Sequence, residues 1–269
     1  MTAAALDLSA LTRAEQEQLA EMLAEQERRE AQRLFYRLHG DADHVWTGPP
    51  ILKGAIKPGA VLHSRHGYPR HLEHFAAGAR YKERCLLAAN RVGKTLSAGG
   101  YEVTAHLTGD YPAWWEGRRF ETPVSVWVAG KTSETTRDIL QLTLLGEVTS
   151  EGGRKVPDGR GVIPGEALGR VTWKAGGVPD CIDTIRVQHK SGGWSVLGFK
   201  AYEQGRGAFE GTAQSVVWFD EEPDISVYGE ALTRTMTTDG IVILTFTPLE
   251  GLSETVLSFL PAEMRPGER

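Results

Sequence analysis

The 269-residue sequence has little cysteine and no long apolar run. Its two cysteines, Cys85 and Cys181, lie far apart, and neither belongs to a Cys-x-x-Cys pair or a Cys/His cluster. This pattern argues against a structural zinc site and favours a reducing compartment. No apolar stretch approaches the ~18 residues that cross a bilayer, and the N-terminus has no basic segment ahead of an apolar one. We therefore expect a soluble protein that is not exported and does not act in a membrane.

The chain also lacks an excess of basic residues, since its formal net charge is −5. This charge argues against a protein whose whole surface coats nucleic acid, although a local basic track remains open. The hydrophobic content of 41% is enough for one large α/β core with a peripheral arm. We therefore expect one main domain.

Residues 84–95 form an apolar run that breaks into Gly93, Lys94 and Thr95. The pattern predicts a strand, a phosphate-binding loop and the first turn of a helix, where unpaired N–H groups and the helix dipole favour a polyphosphate. Lys94 would reach the β- and γ-phosphates, and the Thr95 hydroxyl would bind Mg²⁺. The residues expected to line the nucleotide are Ala89, Asn90, Arg91, Val92, Gly93, Lys94 and Thr95.

The full phosphate-loop pattern has a glycine five residues before Gly93, where this chain has Ala88. The alternative is an ordinary helix start that carries a surface lysine. The apolar strand before the loop and the small residues 98–100 within the helix favour nucleotide binding.

The first 40 residues predict a helical arm, either one helix or two with a bend. Residues 12–15 have the spacing of a capping box, and Gly40 ends the pattern. Two interpretations remain open: a solvated helix docked at its two ends, or an arm that packs on a neighbouring subunit. Residues 41–67, rich in Gly, Pro and His, predict a linker or wrapping loop. Residues 68–269 would form the main domain.

Several further elements follow from the pattern of the main domain. Residues 71–81 predict a helix preceded by Tyr68, which could stack on an adenine or simply pack on the domain edge. Residues 124–129 predict a second buried parallel strand, which a strand-end loop and a helix over 133–146 follow. Residues 147–161 predict a flexible, basic loop. Residues 182–188 and 194–199 predict a β-hairpin, either an insertion or the antiparallel edge of the sheet.

Residues 215–223 combine four consecutive apolar residues with an acidic group, which predicts a buried strand with carboxylates at its carboxyl end. Asp220 would hold Mg²⁺ through a water, and Glu221 would take the proton from the water that attacks the γ-phosphate. A hydrated acidic turn is the alternative. The combination with the phosphate loop, 125 residues earlier, favours ATP hydrolysis.

Residues 241–248 predict a further strand. In hydrolysing P-loop proteins of this type, a strand with a polar sensor lies between the phosphate-loop strand and the acidic strand. Thr245 or Thr247 could therefore respond to the γ-phosphate. Ordinary β-propensity is the alternative explanation for these two threonines.

These three segments together make the chain resemble the large terminase subunit of tailed bacteriophages, the motor that packages DNA into the capsid. The similarity runs from about Tyr68 to Pro261 and includes residues 205–212, which are similar to a family segment before the acidic strand. The resemblance implies an α/β P-loop NTPase of the ASCE type, with a mainly parallel central sheet flanked by helices, the N-terminal arm and the hairpin insertion. It also implies an ATPase that uses ATP and Mg²⁺.

The resemblance further implies site roles and partners. Lys94, Glu221 and a loop arginine would be catalytic, with Arg91 the first candidate and Arg206 the second, and Thr247 would couple hydrolysis to movement. The partners would be double-stranded DNA, the portal protein, the small terminase subunit and further copies in a ring, a pentamer when active, in the host cytoplasm. The segment before the phosphate loop lacks the glutamine often found there in the family.

Two other interpretations compete with a packaging motor. One is another translocase of the same class, such as a helicase, and the other is a non-catalytic nucleotide-binding module. The family's nuclease domain is not expected within these residues, so we expect no DNA cutting. The basic residues that could track DNA phosphates, or could simply be solvated surface charge, are Arg118, Arg119, Arg154, Lys155 and Arg160.

Overall fold

The computed structural model describes residues 12–31, 33–248, 251 and 253–260. Their helices are α1 Arg13–Ala31, α2 Leu34–Arg37, α3 Pro69–Ala77, α4 Tyr101–Thr108, α5 Ser133–Thr135, α6 Leu142–Leu145, α7 Ile225–Thr235 and α8 Glu254–Phe259. The strands are β1 His44–Val45, β2 Val61–Leu62, β3 Glu83–Leu87, β4 Ser125–Gly130, β5 Val148–Glu151, β6 Arg154–Pro157, β7 Leu168–Trp173, β8 Ile182–Gln188, β9 Trp194–Ala201, β10 Val216–Asp220 and β11 Ile241–Phe246. None of the helices in these ranges has the length and apolarity to cross a membrane.

A seven-stranded sheet in the order β3-β11-β10-β4-β9-β8-β7 forms the centre of the molecule. The first five strands of this order are parallel. Every residue of β10 and β11 is buried, as expected for near-continuous apolar strands that helices cover on both faces. The predicted α/β fold with a mainly parallel sheet is confirmed, and β11 lies between the phosphate-loop strand and the acidic strand.

The predicted hairpin is confirmed as the antiparallel edge of this sheet. Strands β8 and β9 pair antiparallel, while β9 also pairs parallel with β4. Strand β7 extends the edge and has no counterpart in the sequence prediction, because its alternation is interrupted by a bulge between Leu168 and Val171. The flexible loop predicted for residues 147–161 is wrong in part. Strands β5 and β6 pair there, and Gly152 and Gly153 supply the positive φ angles of the turn.

Apolar side chains form three clusters around the sheet. One face packs against the helix α4 and the segment Thr136–Leu145, and the other packs against α7 and α8. A third cluster joins α2 and the loop after it to α3 and α4, and it includes Trp46, Ile51, Ile56 and Leu62. Residues 41–67 thus pack against α3 and α4, the helices that precede and follow the phosphate-loop strand in the chain.

The N-terminal arm consists of α1 and the short α2. The predicted capping box is confirmed, since the Thr12 N–H donates to the Glu15 carboxylate (2.8 Å) and the Glu15 N–H donates to the Thr12 hydroxyl (3.4 Å). No side chain from Thr12 to Glu25 is buried, whereas Leu34 and Phe35 of α2 are. The solvated helix and the subunit-contacting arm both remain interpretations of α1.

A buried ion pair joins the phosphate-loop strand to the helix that follows the loop. Arg84 on β3 donates to both carboxylate oxygens of Glu102 on α4, at 2.6 and 3.2 Å. His106 lies 3.3 Å from the same carboxylate, and Arg84 also donates to the His74 carbonyl at 2.7 Å. Burial alone would raise the pKa of Glu102, but the Arg84 charge and the His106 hydrogen bond lower it to about 2. The pair therefore stays ionised inside the core.

Substitution of Glu102 by Gln is expected to lower the free energy of unfolding by about 3–5 kcal/mol, because it leaves the Arg84 charge buried without its partner. Urea unfolding at pH 7 measures the loss. The matched control is Glu73→Gln, which breaks the exposed Arg70–Glu73 pair (2.6 Å) and should cost less than about 1 kcal/mol. Equal losses in the two variants would contradict the structural role of the buried pair.

Candidate functional site

The predicted phosphate loop connects the end of β3 to a helix that begins at Lys94. Its first seven residues, Lys94–Gly100, are wound as a π-helix that continues into α4. Arg91 (φ 65°) and Gly93 (φ 82°) both have left-handed backbone conformations. A Cβ at Gly93 would lie 3.1 Å from the Ser97 hydroxyl oxygen, so the glycine allows both the conformation and the close approach. The loop therefore folds back over the start of its own helix.

The Lys94 side chain is buried beneath this loop. Its ammonium donates to the carbonyls of Ala88 (3.0 Å) and Ala89 (2.6 Å) and to the Thr247 hydroxyl (2.8 Å). Thr247 lies just after β11, and its hydroxyl also lies 2.9 Å from the Asn90 side-chain oxygen. The lysine thus links the loop to the predicted sensor segment, and of the two threonines considered there, Thr247 is the one that contacts it.

The Thr95 hydroxyl lies against the carboxylate of Asp220, 3.0 Å from each of its oxygens. The Thr245 hydroxyl donates to Asp220 Oδ1 at 2.8 Å and accepts from the Trp218 indole N–H at 2.8 Å. Gly99 belongs to the same helical segment as Thr95 and leaves room for the Trp218 ring, since a Cβ on Gly99 would lie 2.2 Å from an indole carbon. One chain of contacts thus joins the first helical turn to β10 and β11.

The Asp220 carboxylate is buried, and burial disfavours its charged form. Burial raises its pKa to about 6, against the lowering effect of the hydrogen bonds from Thr245 and Thr95. The nearby Glu221 raises this pKa further, and Lys94 lowers it. A cation bound beside this carboxylate would favour its charged form and lower its pKa.

Glu221 follows Asp220 where the chain leaves the sheet. It has a left-handed conformation (φ 77°), which is uncommon for a residue with a side chain and costs about 1–2 kcal/mol. Its N–H donates to the Thr245 carbonyl at 3.1 Å, and its side chain is exposed. The strained turn directs the two neighbouring carboxylates differently, one into the core and one toward solvent.

Tyr68 lies next to His71, which contacts the phosphate loop. Its ring stacks on the His71 ring, with centroids 5.0 Å apart. His71 in turn lies against the loop, since its Cε1 is 3.4 Å from the position of a Cβ on Gly93. The described contacts are compatible with an aromatic platform beside the loop, and the role of Tyr68 remains a prediction.

The two candidate arginines lie in different surroundings. The Arg91 side chain is exposed on the loop and makes no hydrogen bond or ion pair within the described ranges. The Arg206 guanidinium is paired with Glu230 on α7 at 2.9 Å and lies 3.8 Å from Glu210. The structure therefore favours Arg91 as the free cation beside the loop, whereas Arg206 is held by carboxylates.

An open cleft of about 540 Å³ lies beside the strand ends. Glu221, Thr247 and Tyr202 line it, together with Lys131 and Thr132 of the second Gly-Lys-Thr segment. The Thr132 hydroxyl accepts from the Thr135 N–H (3.1 Å) and caps α5, as expected for a strand-end loop rather than a second phosphate site. The cleft gives solvent and ligands access to Glu221.

Two further side chains, Tyr202 and His71, lie at the site but outside the phosphate loop, the acidic segment and the strand that contains Thr245. Tyr202 follows β9 and contacts the backbone of Glu221, 19 residues further along the chain. The sequence predicts His71 only as part of the helix over residues 71–81. Neither belongs to a sequence motif, and each reaches the site through a contact between segments that are separated in the sequence.

The substitution Asp220→Asn is expected to stabilise the ligand-free protein in EDTA at pH 8. The folded pKa is raised, so stability falls as pH rises from the ordinary value near 3.8 through about 6, and the amide removes that loss, by about 1–3 kcal/mol. Urea unfolding of both proteins at pH 8 and pH 4 measures it. An equal difference at the two pH values would contradict a buried, charge-destabilised carboxylate.

Comparisons of the sequence with known proteins point to one family. Residues 85–266 match the family described as "Terminase large subunit, T4likevirus-type, N-terminal". The chain is 38% identical over 218 residues to the large terminase subunit of Salmonella phage P22, across 74% of this chain and 42% of that protein. It thus spans less than half the length of that relative.

Two solved structures resemble the chain more distantly. The large terminase of a thermophilic bacteriophage, in complex with ADP, is 14% identical with a TM-score of 0.41, over 66% of this chain and 38% of that one. The ATPase domain of the large terminase of Thermus phage P74-26, in a mutant form, is 14% identical with a TM-score of 0.36, over 68% and 69%. At these values the family assignment rests on the sequence matches, and by those matches the chain belongs to the terminase large subunit family, within its N-terminal part.

Proposed function

We propose that the chain is the ATP-hydrolysing part of a viral DNA-packaging motor. The observation that carries this proposal is the meeting of Lys94 and Thr95 with Asp220 at one edge of the sheet. The carboxyl ends of parallel strands lie at the same edge, which is where nucleotides bind in open α/β sheets. The family assignment supports the same activity.

The residues at this edge fit a magnesium nucleotide. A threonine hydroxyl and a carboxylate are the hard oxygen ligands that Mg²⁺ prefers alongside waters and substrate phosphates. Thr95 would bind the ion directly, Asp220 would hold it through a water, and the bound ion would neutralise phosphate charge. Lys94 donates to two loop carbonyls and one hydroxyl, and phosphate oxygens would replace these acceptors.

Glu221 is the proposed general base. Its exposed carboxylate lies on the cleft, and no contact within the described ranges occupies it. A carboxylate there can accept a proton from a water that attacks the γ-phosphate, which is a role for an acidic group outside the metal's own shell. Arg91 would offset the charge that develops on the transferred phosphoryl group.

Thr247 is proposed to couple the phosphate to the protein. Its hydroxyl contacts Lys94 and the loop, and the chain after it leads to α8. Loss of the γ-phosphate would change the acceptors available to Lys94 and therefore its contact with Thr247. The partners proposed to respond to this change are double-stranded DNA, the portal protein, the small terminase subunit and the other copies in a pentameric ring. The proposed location is the host cytoplasm.

The substitution Glu221→Gln is expected to lower ATP turnover by about 10²-fold or more while nucleotide binding persists, because an amide cannot accept the proton. Steady-state phosphate release and binding of a fluorescent ATP analogue measure the two properties. The matched control is Glu222→Gln, the next carboxylate along the chain, which accepts a hydrogen bond from Ser253 and should keep turnover within about threefold.

Unchanged turnover in Glu221→Gln would remove the proposed base and favour a module that only binds nucleotide.

A plasmid incubated with the wild-type chain and Mg²⁺ or Mn²⁺ should stay uncut. Cleavage of the plasmid would contradict the proposal that these residues hydrolyse ATP without cutting DNA.

The basic residues predicted to track DNA are mostly engaged within the protein. Arg118 donates to Asp239 at 2.7 Å, and Lys155 donates to Asp180 at 2.6 Å.

Two other arginines, Arg170 on β7 and Arg186 on β8, have exposed side chains. Arg186 lies opposite the bulge in β7 that contains Arg170. Neither arginine forms an ion pair within the described ranges. Because like charges on neighbouring strands repel, we propose DNA phosphates as their counter-charge.

Replacement of both Arg170 and Arg186 by Glu is expected to weaken DNA binding and to flatten its salt dependence. The slope of log K against log salt should fall by about 0.9 for each phosphate that the protein no longer neutralises. Fluorescence anisotropy with a labelled duplex at several salt concentrations measures both, and Arg13→Glu on α1 serves as a control for net charge. An unchanged slope would exclude this face from DNA binding.

A further inference from the structure

The Tyr202 hydroxyl lies at a point where three backbone carbonyls converge. It is 3.0 Å from the carbonyl of Ala129 at the end of β4, 2.9 Å from that of Asp220 at the end of β10 and 3.0 Å from that of Glu221. Carbonyl oxygens only accept hydrogen bonds, so the single hydroxyl proton is the donor that these three acceptors share. The side chain thus joins the ends of two strands to the turn that carries the proposed base.

The Glu221 backbone is fixed on both sides of its strained conformation. Its N–H donates to the Thr245 carbonyl at 3.1 Å, and its carbonyl faces the Tyr202 hydroxyl. A left-handed residue that is not glycine persists only where the surrounding structure holds it, and such residues cluster at functional sites. Within the described ranges, these two hydrogen bonds are the ones that the Glu221 backbone makes.

Tyr202 is itself held without help from Glu221. It begins the 3-10 turn Tyr202–Gln204 directly after β9, and its ring packs against Phe219 at 5.8 Å between centroids. The next residue anchors the turn, because the Glu203 carboxylate accepts from the Ser133 N–H at 2.7 Å. The hydroxyl is therefore presented by a rigid element on the far side of β4.

We propose that Tyr202 is a positioning residue for Glu221 in ATP hydrolysis. This inference rests on the proposed function. By holding the carbonyl of Glu221, the hydroxyl fixes the direction in which the carboxylate enters the cleft that both residues line. Correct placement of a general base raises the rate of the chemical step and leaves the affinity for the nucleotide unchanged.

The test is a double-mutant cycle of Tyr202→Phe and Glu221→Gln on the full chain. Tyr202→Phe keeps the ring and removes the hydroxyl, so kcat is expected to fall about tenfold or more with KM for ATP within about threefold. In the Glu221→Gln background, the same change should alter the residual rate by less than about twofold, because the group that it positions is already lost.

The matched control is Tyr228→Phe. Tyr228 is buried in the same cluster, packs on Phe219 at 6.3 Å, and donates its hydroxyl to Glu83 instead of the Glu221 turn. Its kcat should stay close to that of the wild type, and thermal unfolding of both variants shows whether they fold equally well.

A kcat in Tyr202→Phe equal to that of the wild type, or an equal fall in both backgrounds, would overturn the positioning role while Glu221→Gln still abolishes turnover. If Glu221→Gln retains full turnover, the proposed base is wrong, and the role of Tyr202 falls with it. A fall in kcat of equal size in Tyr228→Phe would assign the effect to loss of core hydroxyls in general and would also overturn the inference.

Discussion

The carboxylate of Asp220 is buried at the end of a central strand, and the hydroxyls of Thr95 and Thr245 are its hydrogen-bond donors. A buried acid costs free energy unless it is paired, and this cost appears as a raised pKa. The threonines lie on the helix after the phosphate loop and on the neighbouring strand. The position of one unfavourable charge therefore depends on the packing of three segments that are far apart in sequence.

The parallel sheet is what brings these segments together. Strands β3, β11 and β10 run in one direction, so Thr247, Asp220 and the phosphate loop all lie at one edge. The Arg84–Glu102 pair fastens the phosphate-loop strand to the helix after the loop, and Gly99 admits the Trp218 ring between that helix and the sheet. Arg91 and Glu221, two of the non-glycine residues with positive φ angles, lie at the same edge and are the residues proposed to face the γ-phosphate.

Much of this arrangement could be predicted from the sequence. The runs ending in Thr95 and Asp220 each have an ordinary structural alternative when taken alone, but their combination in one chain predicts a shared site, and the Thr95 hydroxyl does contact the Asp220 carboxylate. The similarity to hydrolysing P-loop proteins predicts the position of the strand that contains Thr245, and β11 does lie between β3 and β10. Strand β7 could not be predicted because a bulge interrupts the alternation of its inward and outward side chains. Strands β5 and β6 could not be predicted because both of their faces are largely exposed.

The side chains that act through tertiary contacts could not be predicted at all. Tyr202 lies 18 residues before Asp220, and nothing in the local sequence shows that its hydroxyl reaches the carbonyls of two strand ends. The pairing of Arg206 with Glu230 could not be predicted either, since Glu230 is on a helix 24 residues later. Spacing along the chain predicts which residues share an element, whereas these contacts depend on how distant elements pack.

A structure of the chain with a non-hydrolysable ATP analogue and Mg²⁺ tests the central claim most directly. The account predicts that the phosphates lie on the loop, with the Lys94 ammonium moved from the Ala88 and Ala89 carbonyls to phosphate oxygens and the ion held between Thr95 and the Asp220 side of the site. A nucleotide bound elsewhere, with Lys94 and the Thr95–Asp220 contact unchanged, would contradict it.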